Sequence, residues 1–181
     1  PTFDSTWVFA SPATGTLVSP TSNKVTTGAD GKSYFIAQTT ATSTDPATTT
    51  ATYNVVVQPS SSSASGLREG CTYQVSYDLG AVRPANSPIG RQTLAVQLTS
   101  PSGVVVPGSA ATYTTPNGTG GVQVPYVASG AISRTLSSTS FSFKAVAGTY
   151  VFKATFTTPT NKNTSLYADG LGFAAPAFTV V

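Results

Sequence analysis

The 181-residue sequence has no histidine, no methionine and a single cysteine. Without histidine, neither a Ser-His-Asp nor a Cys-His arrangement can activate a nucleophile. Histidine-based zinc sites are excluded too, and one cysteine cannot supply the missing ligands. It also leaves no partner for an intrachain disulfide. Charge is scarce: 8% of residues are Asp, Glu, Lys or Arg, against about 25% in an ordinary globular chain. The acids are Asp4, Asp30, Asp45, Glu69, Asp78 and Asp169. A glycosidase needs two facing carboxylates, whereas Glu69 and Asp78 lie near opposite ends of one extended stretch. There is no Gly-rich phosphate loop. The expectation is a protein that is not an enzyme.

Net charge is +3 with a pI near 9.1, yet no two of the nine Lys and Arg residues are adjacent. Phosphate backbones are held by clustered cations, so nucleic acid is not an expected partner. No apolar run reaches about 18 residues, the length of a membrane-spanning helix. The first residue is Pro1, not Met, and no leader segment is visible. These features lead to the expectation of an exported protein, extracellular or on a cell or particle surface after leader removal.

What the chain does contain is Ser and Thr, about three residues in ten, with 39% hydrophobic residues among them. The hydrophobic residues fall in alternating runs, which a disordered chain of similar polarity lacks. The clearest is the stretch from Gly70 to Gly80. Cys71, Tyr73, Val75, Tyr77 and Leu79 alternate with Thr72, Gln74, Ser76 and Asp78. Period-two alternation of aromatic and β-branched residues predicts one strand with a buried and a polar face. In this reading Cys71 is a small buried hydrophobe on the apolar face.

Other predicted strands are 3–9, 33–38, 52–57, 92–98, 122–126, 140–146, 150–156 and 177–181. Val104 to Val106 continues from the strand before it in the manner of a hairpin. Asp30-Gly31, Pro116-Asn117-Gly118 and Ala147-Gly148 mark turns. Residues 39–50 and 59–66 read as polar loops. About ten short strands without helical periodicity predict an all-β fold, an antiparallel β-sandwich or jelly roll. The serine run from Ser60 to Ser63 reads as a surface loop, so residues 1–181 are expected to form one domain.

Candidate functional residues follow from these placements. Asp4 on the first strand and Asp169 beside a late one would suit a structural calcium, which takes carboxylates and carbonyls; the alternative is two turn aspartates bonding nearby N–H groups. Asn117 and Asn163 each head an N-glycosylation triplet. Tyr113 and Tyr126 lie in polar, turn-rich surroundings and are expected to be exposed, where a ring can stack on a sugar. Phe178, Val180 and Val181 form a terminal strand suited to completing a neighbour's sheet, or to pairing within its own.

Several of these pieces together resemble the galactose-binding-like jelly rolls of carbohydrate-binding modules and bacterial surface proteins. They are Phe3-Asp4, Trp7-Val8-Phe9, Asp30-Gly31 before Tyr34 to Gln38, Leu67, Gly70, Tyr73 to Leu79 and Arg83. Ser140-Phe141, Ala147 to Tyr150 and the segment around Asp169-Gly170 complete the set. The resemblance implies a structural calcium held by carboxylates near the first and last strands, the places of Asp4 and Asp169, although the usual Glu after the first strand's Phe is missing. It implies glycans as a ligand class without assigning the sugar-binding residues.

The function expected from the sequence is that of a non-catalytic structural or adhesive surface protein. It would be a self-assembling subunit of a filament, matrix or particle coat, with copies of itself or other surface proteins as partners. The alternative is a carbohydrate-binding module.

Overall fold

The computed structural model describes residues 8–10, 21–39, 47–56, 67–82, 92–116, 119–127, 130–158, 170–174 and 176–181. Among them are strands and no helix, so the all-β class expected from the sequence is what the structure shows. The strands in order are β1 (Val8–Ala10), β2 (Thr21–Thr27), β3 (Ser33–Thr39), β4 (Ala47–Val56), β5 (Thr72–Ser76), β6 (Asp78–Val82), β7 (Thr93–Thr99) and β8 (Ala111–Thr114). They continue with β9 (Val122–Gln123), β10 (Tyr126–Val127), β11 (Leu136–Ser137), β12 (Phe141–Lys144), β13 (Thr149–Thr158), β14 (Gly170–Ala174) and β15 (Ala177–Val180).

Three hydrogen-bonded sheets result. One runs β1-β4-β13-β7-β8-β9, a second β10-β6-β14-β3-β2 with β11 on β6, and a third is β12-β5-β15. The first sheet makes one layer. Its inward rings meet both of the others: Phe152 lies 5.7 Å from Phe173 of β14, and Tyr150 lies 5.0 Å from Phe143 of β12. The second and third sheets together face it, an arrangement consistent with a sandwich.

The alternation that predicted strands also built the core. On β13, Tyr150, Phe152, Ala154 and Phe156 are buried while Lys153 is exposed. Opposite them in register lie Leu98, Val96 and Leu94 of β7, also buried. Each fully buried Leu or Phe contributes about 1.5–3 kcal/mol of transfer free energy, so this central pair is a main source of stability.

The stretch from Gly70 to Gly80 departs from its expected form. Tyr73, Val75, Tyr77 and Leu79 are buried in turn as predicted, but the chain changes sheets at Tyr77. The alternation carries through because both sheets face the same core. Cys71 is half-buried at the edge of that core and unbridged. The segment read as one strand at 122–126 likewise divides, into β9 on the first sheet and β10 on the second. Val105 makes an isolated bridge to Thr99 where a hairpin strand was expected. β4 begins at Ala47, inside the segment read as a loop, and β2 was not predicted.

Candidate functional site

Charge is rare in this chain, and among the described residues four charged side chains meet at one place. β2 and β3 are joined by a turn at Gly28–Lys32, closed by Gly28 N–H donating to the Lys32 carbonyl at 2.7 Å. Segment 132–138 runs alongside as a strap. It is held by Ala29 N–H donating to the Ile132 carbonyl and Thr135 N–H donating to the Leu79 carbonyl, both at 2.9 Å. Where strap, turn and the start of β6 meet stand Asp30, Lys32, Asp78, Arg134 and Ser137.

Asp30 is the hub of the turn. Its carboxylate accepts from the Tyr34 hydroxyl at 2.7 Å, from Lys32 N–H at 3.2 Å and from Arg134 N–H at 3.3 Å. The Tyr34 hydrogen bond, followed by the backbone donors, holds the Asp30 carboxyl below its ordinary value. Tyr34 is fully buried, and burial, then the bond to Asp30, pushes its hydroxyl well above the usual range.

Asp78 is the second hub. Its side chain, 16% exposed, is ion-paired with Lys32 and accepts from Ser137 Oγ at 3.3 Å. Arg134 Nη1 stands 4.0 Å from its other flank, beyond hydrogen-bonding range. The guanidinium therefore has donors to spare, and more than half of its side chain is exposed. Lys32, Asp78, Arg134 and Ser137 line an open cleft of about 570 Å³, with Ser33 and Ser76 adding hydroxyls. Lys32, Asp78 and Arg134 leave the lining with one net positive charge, and Asp30 stands behind it in the turn.

The strap approaches its neighbours too closely for a side chain at Gly28, where a Cβ would meet the Ile132 carbonyl oxygen, and at Gly80. A Cβ on Gly80 would fall on the Ser133 carbonyl oxygen, with Ile132 also close. The strap can lie flat against β6 only because residue 80 is glycine.

The residues singled out from sequence are distributed differently. Tyr113, expected to be exposed, is 3% exposed, and its hydroxyl lies 3.0 Å from that of Tyr77 inside the core. Its ring points into the core and meets the Tyr77 ring edge to face at 6.1 Å, so it cannot stack on a sugar. Tyr126 is half-buried against the core. β15 pairs within its own sheet, on β5, and Phe178 is buried there; Val180 is half-buried and Val181 exposed. The terminal strand is thus taken up by its own fold, because Phe178 finds Phe143 of the same sheet at 6.4 Å. Asp4, Asp169, Asn117 and Asn163 lie outside the described residues. Among the described residues no three acidic or cysteine side chains gather as metal ligands, and no helix is long and apolar enough to cross a membrane.

The cleft residues themselves were not proposed from sequence. In the sequence Asp30-Gly31 marks a turn, and Asp78 is a polar strand residue too far from Glu69 to form a carboxylate pair. The scarcity of charge was the available signal: in such a chain, ionic groups that come together are conspicuous.

No family model matches the chain, and no curated protein matches it. Among solved structures, the enzymatically active domain of tailspike protein 4 from bacteriophage CBA120 is similar, at 10% sequence identity and a TM-score of 0.41. The likeness covers 89% of this chain and 18% of that one. This chain thus corresponds to less than a fifth of that chain's length, and at this TM-score the two are not shown to share a fold.

Proposed function

We propose that this chain is a non-catalytic adhesive module of an extracellular or particle surface, and that it holds neutral glycans in the cleft between Lys32, Asp78 and Arg134. The observation that carries the reading is the composition of that cleft. A sugar hydroxyl both donates and accepts, so it is best met by a carboxylate beside cationic donors. Asp78 offers acceptors, Arg134 offers unused donors, and three serines can do either. Lys32 is neutralised by Asp78, so the lining keeps one cation without a close partner, Arg134, whose donors suit hydroxyl oxygens.

Hydrolysis does not fit the same groups. A glycosidase uses two facing carboxylates, and among the described residues that line the cleft Asp78 is the one carboxylate. The adhesive reading also accommodates assembly with copies of itself or other surface proteins.

The test is calorimetric titration of the folded protein against a panel of neutral polysaccharides and their oligosaccharides. The expected result is binding to at least one, reduced tenfold or more by Arg134→Ala and by Ser137→Ala, with no sugar released. Absence of binding across the panel, or binding indifferent to both substitutions, would reject this use of the cleft.

A further inference from the structure

Of the five large hydrophobic side chains exposed among the described residues, four lie at one end of the molecule, away from the cleft. Val104, Val105, Val146 and Val181 are between 39% and 66% exposed. Their shared location follows from the pairings. Thr72 at the start of β5 pairs with Lys144 at the end of β12, and Val181 N–H donates to the Thr72 carbonyl at 3.0 Å. Val146 follows Lys144 by two residues, and its N–H donates to the Tyr150 hydroxyl at 3.0 Å. Gly148 in the same turn approaches Pro101 so closely that a Cβ there would meet the proline ring. The Pro101 turn is closed by Ser100 N–H donating to the Val104 carbonyl at 2.8 Å. With strands about 4.8 Å apart, the four valines sit within a few strand widths. Valines scattered singly need no explanation, whereas a group of them on one end marks an interaction surface.

Charged residues rim this end. The turn carrying Arg68 and Glu69 is fastened to the β12–β13 corner: Gly70 N–H donates to the Ala145 carbonyl, and Ala145 N–H to the Cys71 carbonyl, both at 2.8 Å. Arg68, Glu69 and Lys144 are all exposed, and none has an ion pair among the described residues.

We propose that this apolar end joins two copies of the chain about a two-fold axis. Such an axis sets the same patch of each copy against the other. Valines then cover valines, and Glu69 of one copy faces Lys144 of the other, so the unpaired charges become complementary. Segment 57–66 follows Val56, which pairs with Thr149 at this same end. It holds five serines and one large apolar residue, Val57, so its composition is a poor match for an apolar face. A patch of this kind belongs with small, reversible interfaces, below about 1,200 Å². The inference is independent of the glycan reading, since it concerns the opposite end of β5.

The test is sedimentation velocity over a wide concentration series of the unmodified chain and of surface variants. The expected result is a mass that rises reversibly and levels off at twice that of one chain. Val146→Glu and Val104→Glu should each remain monomeric while keeping the parent's circular dichroism and melting temperature. Glu69→Lys and Lys144→Glu should each weaken association about tenfold, and an equimolar mixture of these two variants should recover it, because the opposite charges again face each other. A parent that stays monomeric throughout the series overturns the proposal. So does a mass that climbs past two without levelling off, or a mixture no better than its separate variants.

Discussion

At the residue scale, the buried polar groups are arranged in reciprocal pairs. Tyr77 and Tyr113 share one hydrogen bond in the core, and their rings meet edge to face at 6.1 Å. Removing one hydroxyl leaves the other buried without that partner, at a cost of about 1–3 kcal/mol, whereas removing both leaves nothing unsatisfied. Tyr77→Phe and Tyr113→Phe should therefore each destabilise the fold in urea denaturation. The double variant should lose less than the sum of the two, giving a coupling of about 1 kcal/mol. Additive losses would mean that the two hydroxyls do not depend on one another. The Asp30 cluster follows the same pattern at the surface, where one carboxylate satisfies a hydroxyl and two backbone N–H groups.

At the scale of the element, β13 and β6 make opposite demands. β13 needs volume: Phe152 is fully buried, 5.4 Å from Tyr77 and 5.7 Å from Phe173. Phe152→Ala should cost about 3–5 kcal/mol, while Lys153→Ala on the exposed face should stay within about 0.5 kcal/mol. β6 needs the absence of volume. Gly80→Ala would force the strap off the strand, since the obstructing atom is backbone oxygen, at about 1–3 kcal/mol. Because the strap carries Arg134, the same substitution should also weaken any ligand of the cleft. Urea denaturation of the three variants measures the stability differences, and calorimetric titration of Gly80→Ala measures the second effect.

These elements also show what the sequence made legible. Phe152 and its neighbours were readable because a strand's two faces differ in polarity and nothing else is required to see it. The break at Tyr77 was not, since both halves bury the same side and the alternation is uninterrupted across the corner. β2 was missed because Thr21–Thr27 has Val25 as its sole large apolar residue. Its place is fixed by pairing with β3, a contact that periodicity does not report. Tyr113 is not legible as buried because its sequence neighbours are polar, while the ring that meets it is Tyr77, at the corner between β5 and β6. The cleft was illegible for the same reason: Lys32, Asp78 and Arg134 are far apart along the chain and are brought together by the turn, the strand and the strap.

At the scale of the whole molecule, two sets of groups set the pH range of the fold. Asp30 is held below its ordinary 3.8. The folded form therefore favours the carboxylate, and the contribution is intact above about pH 4 and lost as pH falls through the lower folded value. Tyr34, Tyr77 and Tyr113 are raised above their ordinary 10.0, chiefly by burial. Their contribution is complete below pH 10 and declines as pH rises beyond it, because the unfolded chain releases those protons first. Melting temperature followed across pH should thus fall at both extremes. Asp30→Asn should flatten the acid limb, and tyrosinate absorbance from these three residues should appear together with alkaline unfolding rather than before it.

The course of β5 has a further consequence. It starts among the exposed valines and finishes at Ser76 on the wall of the cleft, about 13 Å away at the usual rise per residue. Two chains joined valine to valine would therefore carry their clefts at the far ends, pointing away from each other. Such a pair is ill-shaped to grip two sites on one flat surface and well-shaped to span a gap. It would act as a bridge, drawing together two separate glycan-bearing surfaces, and its signature would be clumping of coated particles that single-chain variants fail to produce.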